Sequence, residues 1–294
     1  MPMQPKTFDP RQQMHRSFFE LQYKRDSSLK DVELHHHDFY ELYFLISGDV
    51  TYTIESRICR VLPGDILLIS PGQLHQVNIR SEAEPYERFV LWLSPEMVSN
   101  LSLNNCDLLR LFDHQNPGSV NQLRLSKRDR ETTHHLLETL YAETLRDDYG
   151  AEIMRRSLVS QFLVQIGRLS LQENTPLQDV SSQFITEVLD YINAHYQEAL
   201  SLDHLAEHFF ISKYHLSHEF NRQVGTSVYR YIQKKRLQVA RQLLSQQYRP
   251  SHIATACGFC DYTAFYRAFK NEYGYSPREY NIWLQSPTNR KRKR

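Results

Sequence analysis

A chain of 294 residues, 23% charged and 40% hydrophobic, has room for two globular domains with sizeable cores. The net charge of +1 conceals an asymmetry: Ile185–Arg294 holds 16 Lys and Arg against 9 acidic residues, or +7, and the rest is −6. A polyanion partner is therefore expected only in the C-terminal part, while no apolar run approaches the ~18 residues of a membrane helix.

The opening MPMQPKTFDPRQQ lacks the basic-then-apolar layout of a secretory signal. Four cysteines (Cys59, Cys106, Cys257, Cys260) are too few and too scattered for a disulfide framework. The reading is a cytoplasmic protein with no membrane partner.

Residues from about 15 to 95 read as short strands, among them 41–47, 49–55, 64–70 and 88–94, separated by Gly, Pro and polar turns. Strands at that spacing without intervening helices predict a sandwich or barrel, ending near residue 125. Within it lie His35, His37, Glu41 and His75. Histidines at i and i+2 share a strand face, and Glu41 shares it too unless the chain bends at Asp38-Phe39. Three imidazoles and a carboxylate suit Mn, Fe, Ni or Zn, and equally suit hydrogen bonding to an organic effector. Tyr40, Tyr43 and Trp92 add aromatic faces that can stack on a sugar ring or simply fill the core. His36, His134 and His135 read as surface residues.

From Ser126 to about residue 170 the period becomes helical, with Leu136, Leu137, Leu140, Tyr141 and Thr144, then Ile153, Leu158, Phe162, Ile166 and Leu169. These two helices, joined near Asp148-Tyr149-Gly150, are expected to pack antiparallel. They either form a dimer interface or cover the open end of the barrel. The polar stretch 171–182 is the linker candidate, and 183–294 reads as all helix.

That last part contains a repeat. Leu205 and Ala206 recur as Ile253 and Ala254, offset by 48 residues; Leu216, Phe220, Gly225, Ser227 and Tyr231 recur as Phe265, Phe269, Gly274, Ser276 and Tyr280, offset by 49. The pattern predicts two helix-turn-helix units whose turns differ by one residue. A helix from Val228 to about Leu244 joins them, long enough at ~26 Å to place two helices in neighbouring major grooves about 34 Å apart. The second helices turn outward Lys213, Tyr214, Ser217, His218, Asn221 and Arg222, and Tyr262, Thr263, Tyr266, Arg267 and Lys270. Polar, aromatic and basic side chains on one face suit a major groove. Ser276-Pro277-Arg278-Glu279 starts a final helix ending near Trp283. Cys257-Gly258-Phe259-Cys260 falls at the second turn and reads as packing, since a zinc site lacks two further ligands. The basic tail 289–294 is expected to be disordered and to add salt-dependent backbone affinity.

Arg236-Leu237-x2-Ala240-x2-Leu243-Leu244, Ile253-Ala254-x3-Gly258-Phe259, Phe265-x-Arg267-x-Phe269-Lys270 and Gly274-x-Ser276-Pro277-x2-Tyr280 together resemble the AraC/XylS signature. The resemblance implies a bacterial transcription regulator, more often an activator, controlled by a small-molecule effector. By position it makes Tyr214, Ser217, His218, Tyr262, Thr263, Tyr266 and Arg267 base-facing candidates. Asn281 departs from it, since the family often has arginine there. His35-x-His37-x3-Glu41-x6-Gly48 with Pro71-Gly72-x2-His75 is similar to the two cupin motifs, though Leu29 stands where a glycine normally precedes the first. The implied fold is multidomain α and β, a cupin-like barrel with two trailing helices followed by an all-α DNA-binding domain.

The implied partners are double-stranded promoter DNA, an effector such as a carbohydrate, RNA polymerase and a second protomer, without enzymatic activity. The residues implied for an effector are His35, His37, Glu41, Tyr43, His75 and Trp92. No cofactor is required, though a divalent metal at His35, His37, Glu41 and His75 fits the same cluster. The alternative is a metal-dependent cupin enzyme or metal sensor fused to a DNA-binding module.

Overall fold

Two antiparallel sheets face one another in the N-terminal half of the computed structural model, which describes residues 11–27, 32–81, 83–103, 106–113, 121–172 and 182–285. The larger sheet contains β1 (Phe19–Asp26), β2 (Tyr40–Ser47), β5 (Ile66–Ile69), β7 (Tyr86–Leu93) and β8 (Gln122–Leu123), in the order β1-β7-β2-β5-β8. The smaller contains β3 (Asp49–Ile54), β4 (Arg57–Val61) and β6 (His75–Ser81), in the order β4-β3-β6.

The period-2 alternation explains how the sheets pack. Tyr43 and Leu45 of β2 and Val90 and Trp92 of β7 point between the sheets, meeting Val50, Tyr52, Ile54, Cys59 and Val61 of the smaller one. Leu42, Phe44, Phe89, Leu91 and Leu93 point the other way, into a second core. Both faces of the larger sheet are thus buried, which is why β2 and β7 read as near-continuous apolar runs.

That second core is roofed by α1 (Pro95–Leu101), a short 3-10 helix at Leu108–Phe112, α2 (Lys127–Thr144) and α3 (Ala151–Gln172). Of the two alternatives for α2 and α3, a dimer interface or a cap on the open end of the barrel, the cap is corrected. Leu136, Leu137, Leu140, Leu158, Phe162 and Ile166 lie on the outer face of the larger sheet instead. Ile153, expected in the buried stripe, is 72% exposed, because the stripe of α3 begins one turn later at Leu158. Residues 173–181, most of the expected linker, and the basic tail 289–294 lie outside the described residues.

Among the described residues seven helices follow: α4 (Gln183–His195), α5 (Leu202–His208), α6 (Lys213–Val224), α7 (Val228–Ser245), α8 (Pro250–Ala256), α9 (Tyr262–Tyr273) and α10 (Pro277–Gln285). Ser182, Ser201, Ser212, Ser227 and Asp261 each accept a backbone N–H at a helix start. Gly225 and Gly274, both at φ 80, close α6 and α9 in the left-handed region. The one-residue slip of the repeat sits in the turns, 209–212 in the first unit and 257–261 in the second.

Each unit has its own core. Leu205, Leu216, Phe220 and Tyr231 belong to the first, Ile253, Phe265, Phe269 and Tyr280 to the second. The linker helix α7 gives Val228, Tyr231 and Ile232 to the first core and Leu237, Ala240 and Leu244 to the second. Three barrel residues, Leu34, Ile58 and Leu74, are buried in the core of the first unit. The buried Lys234 of α7 is ion-paired with Glu272 of α9. No helix among the described residues is long and apolar enough to cross a membrane.

Candidate functional site

The two expected reading helices are α6 and α9. Apolar residues at i and i+4, Leu216/Phe220 and Phe265/Phe269, fix the buried face of each, so the opposite face is left to solvent. On α6, Lys213, Tyr214, Ser217, His218, Asn221 and Arg222 are exposed, and the Tyr214 and His218 rings stack one turn apart with centroids at 6.2 Å. On α9, Tyr262, Thr263, Arg267 and Lys270 are exposed and Tyr266 is half-buried.

The basic residues differ in their engagements. Lys213 is ion-paired with Asp203 of α5, and Arg222 with Glu219 at 2.6 Å, which holds the Glu219 carboxyl down to about 2. No ion pair of Arg267 or Lys270 occurs among the described residues. Cys257 is buried with its thiol pushed up to about 12 by burial, and Cys260 is exposed beside it. Cys257 accordingly packs the turn, and Cys260 lies on its surface.

A second site lies between the sheets. His37 sits in the irregular segment before β2, and His75 opens β6. His35 is joined to His75 by a lone bridge of backbone hydrogen bonds at 3.0 and 2.9 Å. Of the two courses the sequence left open, the structure has the bent one: β2 begins only at Tyr40, with a bend at Asp38 and Phe39. The cluster still converges. One ligand atom from each of His37, Glu41 and His75 lies within 4.8 Å of the others, while His35 falls outside that set and packs its ring 4.2 Å from that of His75.

The tautomers are set by the backbone. Nδ1 of His37 donates to Phe39 O and Nδ1 of His75 to Gln73 O, each at 2.9 Å, so in the neutral rings Nε2 is a bare acceptor. Both Nε2 atoms are buried and without a hydrogen-bond donor among the described residues. His37 Nε2 faces Glu41 Oε2 at 3.3 Å, while Oε2 also accepts from Trp92 Nε1 at 2.8 Å. Two acceptors at that distance need a proton or a cation between them. Burial would raise Glu41, but the His37 contact overrides it and brings the carboxyl to about 2. Burial pushes His75 down to about 4 and His35 well below the usual range.

Tyr43 is fully buried, with no partner meeting strict hydrogen-bond geometry for its hydroxyl among the described residues, and faces Tyr52 at 5.0 Å and Tyr86 at 6.4 Å between ring centroids. Arg88 lies 3.9 Å over the Tyr86 ring and pairs with Asp26 at 2.5 Å. Sequence reasoning missed Tyr52, Tyr86 and Arg88. The signal was there in β7, where Arg88 shares the parity of the inward residues Val90 and Trp92. Tyr40, expected near the cluster, packs against Phe112 on the outer side instead, because it has the opposite parity to Glu41. His36, read as a surface residue, is 8% exposed and hydrogen-bonded to Tyr273, the last residue of α9.

Comparison with known proteins adds two family matches. Residues 22–163 match the AraC-like ligand binding domain, and residues 205–281 match a helix-turn-helix domain. The chain is 24% identical to the probable transcriptional regulator LumQ of Photobacterium leiognathi over 259 residues, 87% of this chain and 94% of that protein. It is 25% identical to the HTH-type transcriptional activator RhaS of Escherichia coli K12 over 250 residues, 85% and 87% of the two chains. The solved structure of ToxT from Vibrio cholerae superposes with a TM-score of 0.37 at 14% identity, over 92% of this chain and 100% of that one.

Proposed function

Because the chain belongs to the AraC family of transcriptional regulators, we propose that α6 and α9 enter neighbouring major grooves of promoter DNA while the barrel interior receives the controlling effector. The observation that carries this reading is the pair of exposed polar, aromatic and basic faces on two helices that both pack against α7. At 18 residues α7 is about 27 Å long, which suits adjacent grooves. The faces share almost no side chains, so one protomer reads an asymmetric site. Tyr214, Ser217 and His218, with Tyr262, Thr263, Tyr266 and Arg267, contact bases, while Lys213, Arg222 and Lys270 contact phosphates.

The division of labour follows the chain. Residues 1–125 sense, 126–170 pack on the sensing sheet, 171–182 link and 183–294 read DNA. The protein works in the cytoplasm, without enzymatic activity, as a homodimer that activates transcription through RNA polymerase. Its effector is a small polar molecule, with carbohydrates the leading class. His35, His37, Glu41, Tyr43, His75 and Trp92 supply acceptors and aromatic faces inside the barrel.

The test is a salt-titrated binding assay of the full chain on the DNA upstream of its own gene, with a thermal-shift screen of small metabolites. Specific binding lost in Arg267→Ala and His218→Ala supports the reading. Unchanged binding in both removes these two helices as the readers.

A second reading is favoured by one observation, the buried acceptor pair His37 Nε2 and Glu41 Oε2 with the orphaned Nε2 of His75 alongside. Two imidazoles and a carboxylate are a fitting donor set for a divalent transition metal, which would supply a Lewis-acidic anchor for a polar effector. The chain's own part is to hold both rings by their Nδ1–H groups and Glu41 by Trp92. Metal content of the purified protein, compared with His75→Ala, separates this reading from an organic effector bound by hydrogen bonds alone.

A further inference from the structure

The surface that the barrel turns towards the linker helix is built by three pieces of chain, and two of them carry histidines of the cluster between the sheets. Around His35-His36-His37-Asp38 the side chains alternate. His37 points towards Glu41 and His75, while His36 reaches Tyr273 at the end of α9 at 2.7 Å and Asp38 pairs with Arg241 of α7. Around Leu74-His75-Gln76 the same happens. His75 points inward, Leu74 is buried in the core of the first DNA unit, and Gln76 donates to Gly225 O at the end of α6 at 3.3 Å. The barrel thus touches the C-terminal ends of both reading helices and leaves their reading faces exposed.

The third piece is the β3–β4 turn, and its focal residue is Glu55. On α7, Tyr231, Lys235, Gln238 and Arg241 follow one another at spacings of four, three and three, so they form one stripe. The first three all reach Glu55. Tyr231 Oη donates to its carbonyl at 3.2 Å, Lys235 Nζ pairs with Oε2 at 2.7 Å, and Gln238 Nε2 donates to Oε1 at 2.9 Å. Glu55 is in turn tied to the residue beside His75, donating its N–H to Leu74 O at 2.8 Å and accepting from Leu74 N at 2.9 Å. Its backbone has φ 50, a left-handed conformation that a glutamate adopts only when its surroundings impose it.

We propose that Glu55 is a positioning residue for DNA reading, the hub of a latch through which the barrel fixes how the two units stand on α7. The latch rests on the reading of the barrel as the sensing half. A displacement of His75 by a bound effector moves Leu74, and Leu74 carries Glu55 and its grip on the linker helix with it. Regulation then works by changing the mutual placement of two unobstructed reading helices, with no masking of either.

The experiment uses the full chain and a 30-bp duplex that it selects from random DNA, followed by duplexes with one base pair inserted or deleted between the two contacted segments. The wild type is expected to lose about tenfold or more in affinity per altered spacing, about 1.4 kcal/mol. Glu55→Asn keeps a residue at ease with positive φ and removes the grip, and Lys235→Met removes it from the helix side. Both are expected to tolerate the altered spacings within about threefold, with the far-UV circular dichroism of the folded chain unchanged. The swap Glu55→Lys with Lys235→Glu is expected to recover part of the spacing preference. Folded Glu55→Asn and Lys235→Met proteins that keep the full penalty overturn the latch. No effector enters this test, so a barrel that binds nothing would defeat the sensing reading and leave the spacing result standing.

Discussion

Phe210 and Gly258 occupy the same place in the two DNA-reading units, the second residue of each turn, and both are left-handed, with φ 55 and 79. Their surroundings differ. A Cβ on Gly258 would come within 2.6 Å of Gln197 O and 2.8 Å of Tyr196 O, whereas the Phe210 side chain is 95% exposed. Gly258→Ala is expected to cost about 2 kcal/mol or more, from strain plus the backbone clash. Phe210→Gly is expected to change stability by less than about 1 kcal/mol, because relieved strain offsets added chain entropy. Urea unfolding of the two variants checks the contrast, and equal effects would contradict it.

Glu272→Ala leaves the ammonium of Lys234 buried without its carboxylate. The expected cost is about 3–5 kcal/mol, concentrated in the second unit. Replacing both partners, Lys234→Met with Glu272→Leu, is expected to recover most of it. A thermal melt of the three proteins decides, and a mild effect of Glu272→Ala alone would mean that water reaches Lys234.

Acid should weaken the barrel. Burial depresses His75 from 6.5 to about 4, and burial followed by the field of Arg241 depresses His36 well below 6.5. A histidine depressed in the folded state adds stability that is complete above about pH 6.5 and is lost as the pH falls towards the folded value. Stability is therefore expected to be level above pH 7 and to fall by about 1 kcal/mol per pH unit between 6.5 and 4 on account of His75, with His36 adding a loss of the same sign below 6.5. Below 4.5 Glu41, brought to about 2, adds a further loss of the same sign. Melting temperatures from pH 7.5 to 4.5 test this, and a flat profile would contradict it.

Arg267 and Arg222 should behave differently on DNA. Arg222 is held by Glu219, so Arg222→Ala is expected to weaken all sequences alike and by little. Arg267→Ala is expected to cost about 1–3 kcal/mol on the specific site and to relax preference at one base pair. Binding measured on specific and scrambled duplexes at two salt concentrations separates the outcomes.

The helical half was legible because its rules are local. The i, i+4 apolar pairs, the Ser and Asp caps and the two closing glycines each follow from a few neighbouring residues, and the one-residue slip named the turn where the units differ. The strands β2 and β7 were legible as apolar runs, read as 41–47 and 88–94 against the observed Tyr40–Ser47 and Tyr86–Leu93, because both faces of their sheet are buried. His36 was misread because its partner, Tyr273, lies more than two hundred residues away and only tertiary packing joins them. Arg88 and Glu55 escaped for a related reason. A charged residue on a strand or at a turn looks solvated until the packing shows what it meets.

The burial of Leu34, Ile58 and Leu74 in the core of the first DNA-reading unit has a consequence for cooperativity. A cut between residues 172 and 182 severs the chain where composition suggests a boundary, yet the free energy has no boundary there. Barrel and first unit should melt as one block, and the second unit, with a core of its own, as another. The thermodynamic seam of this protein runs through the middle of α7, between Ile232 and Leu237.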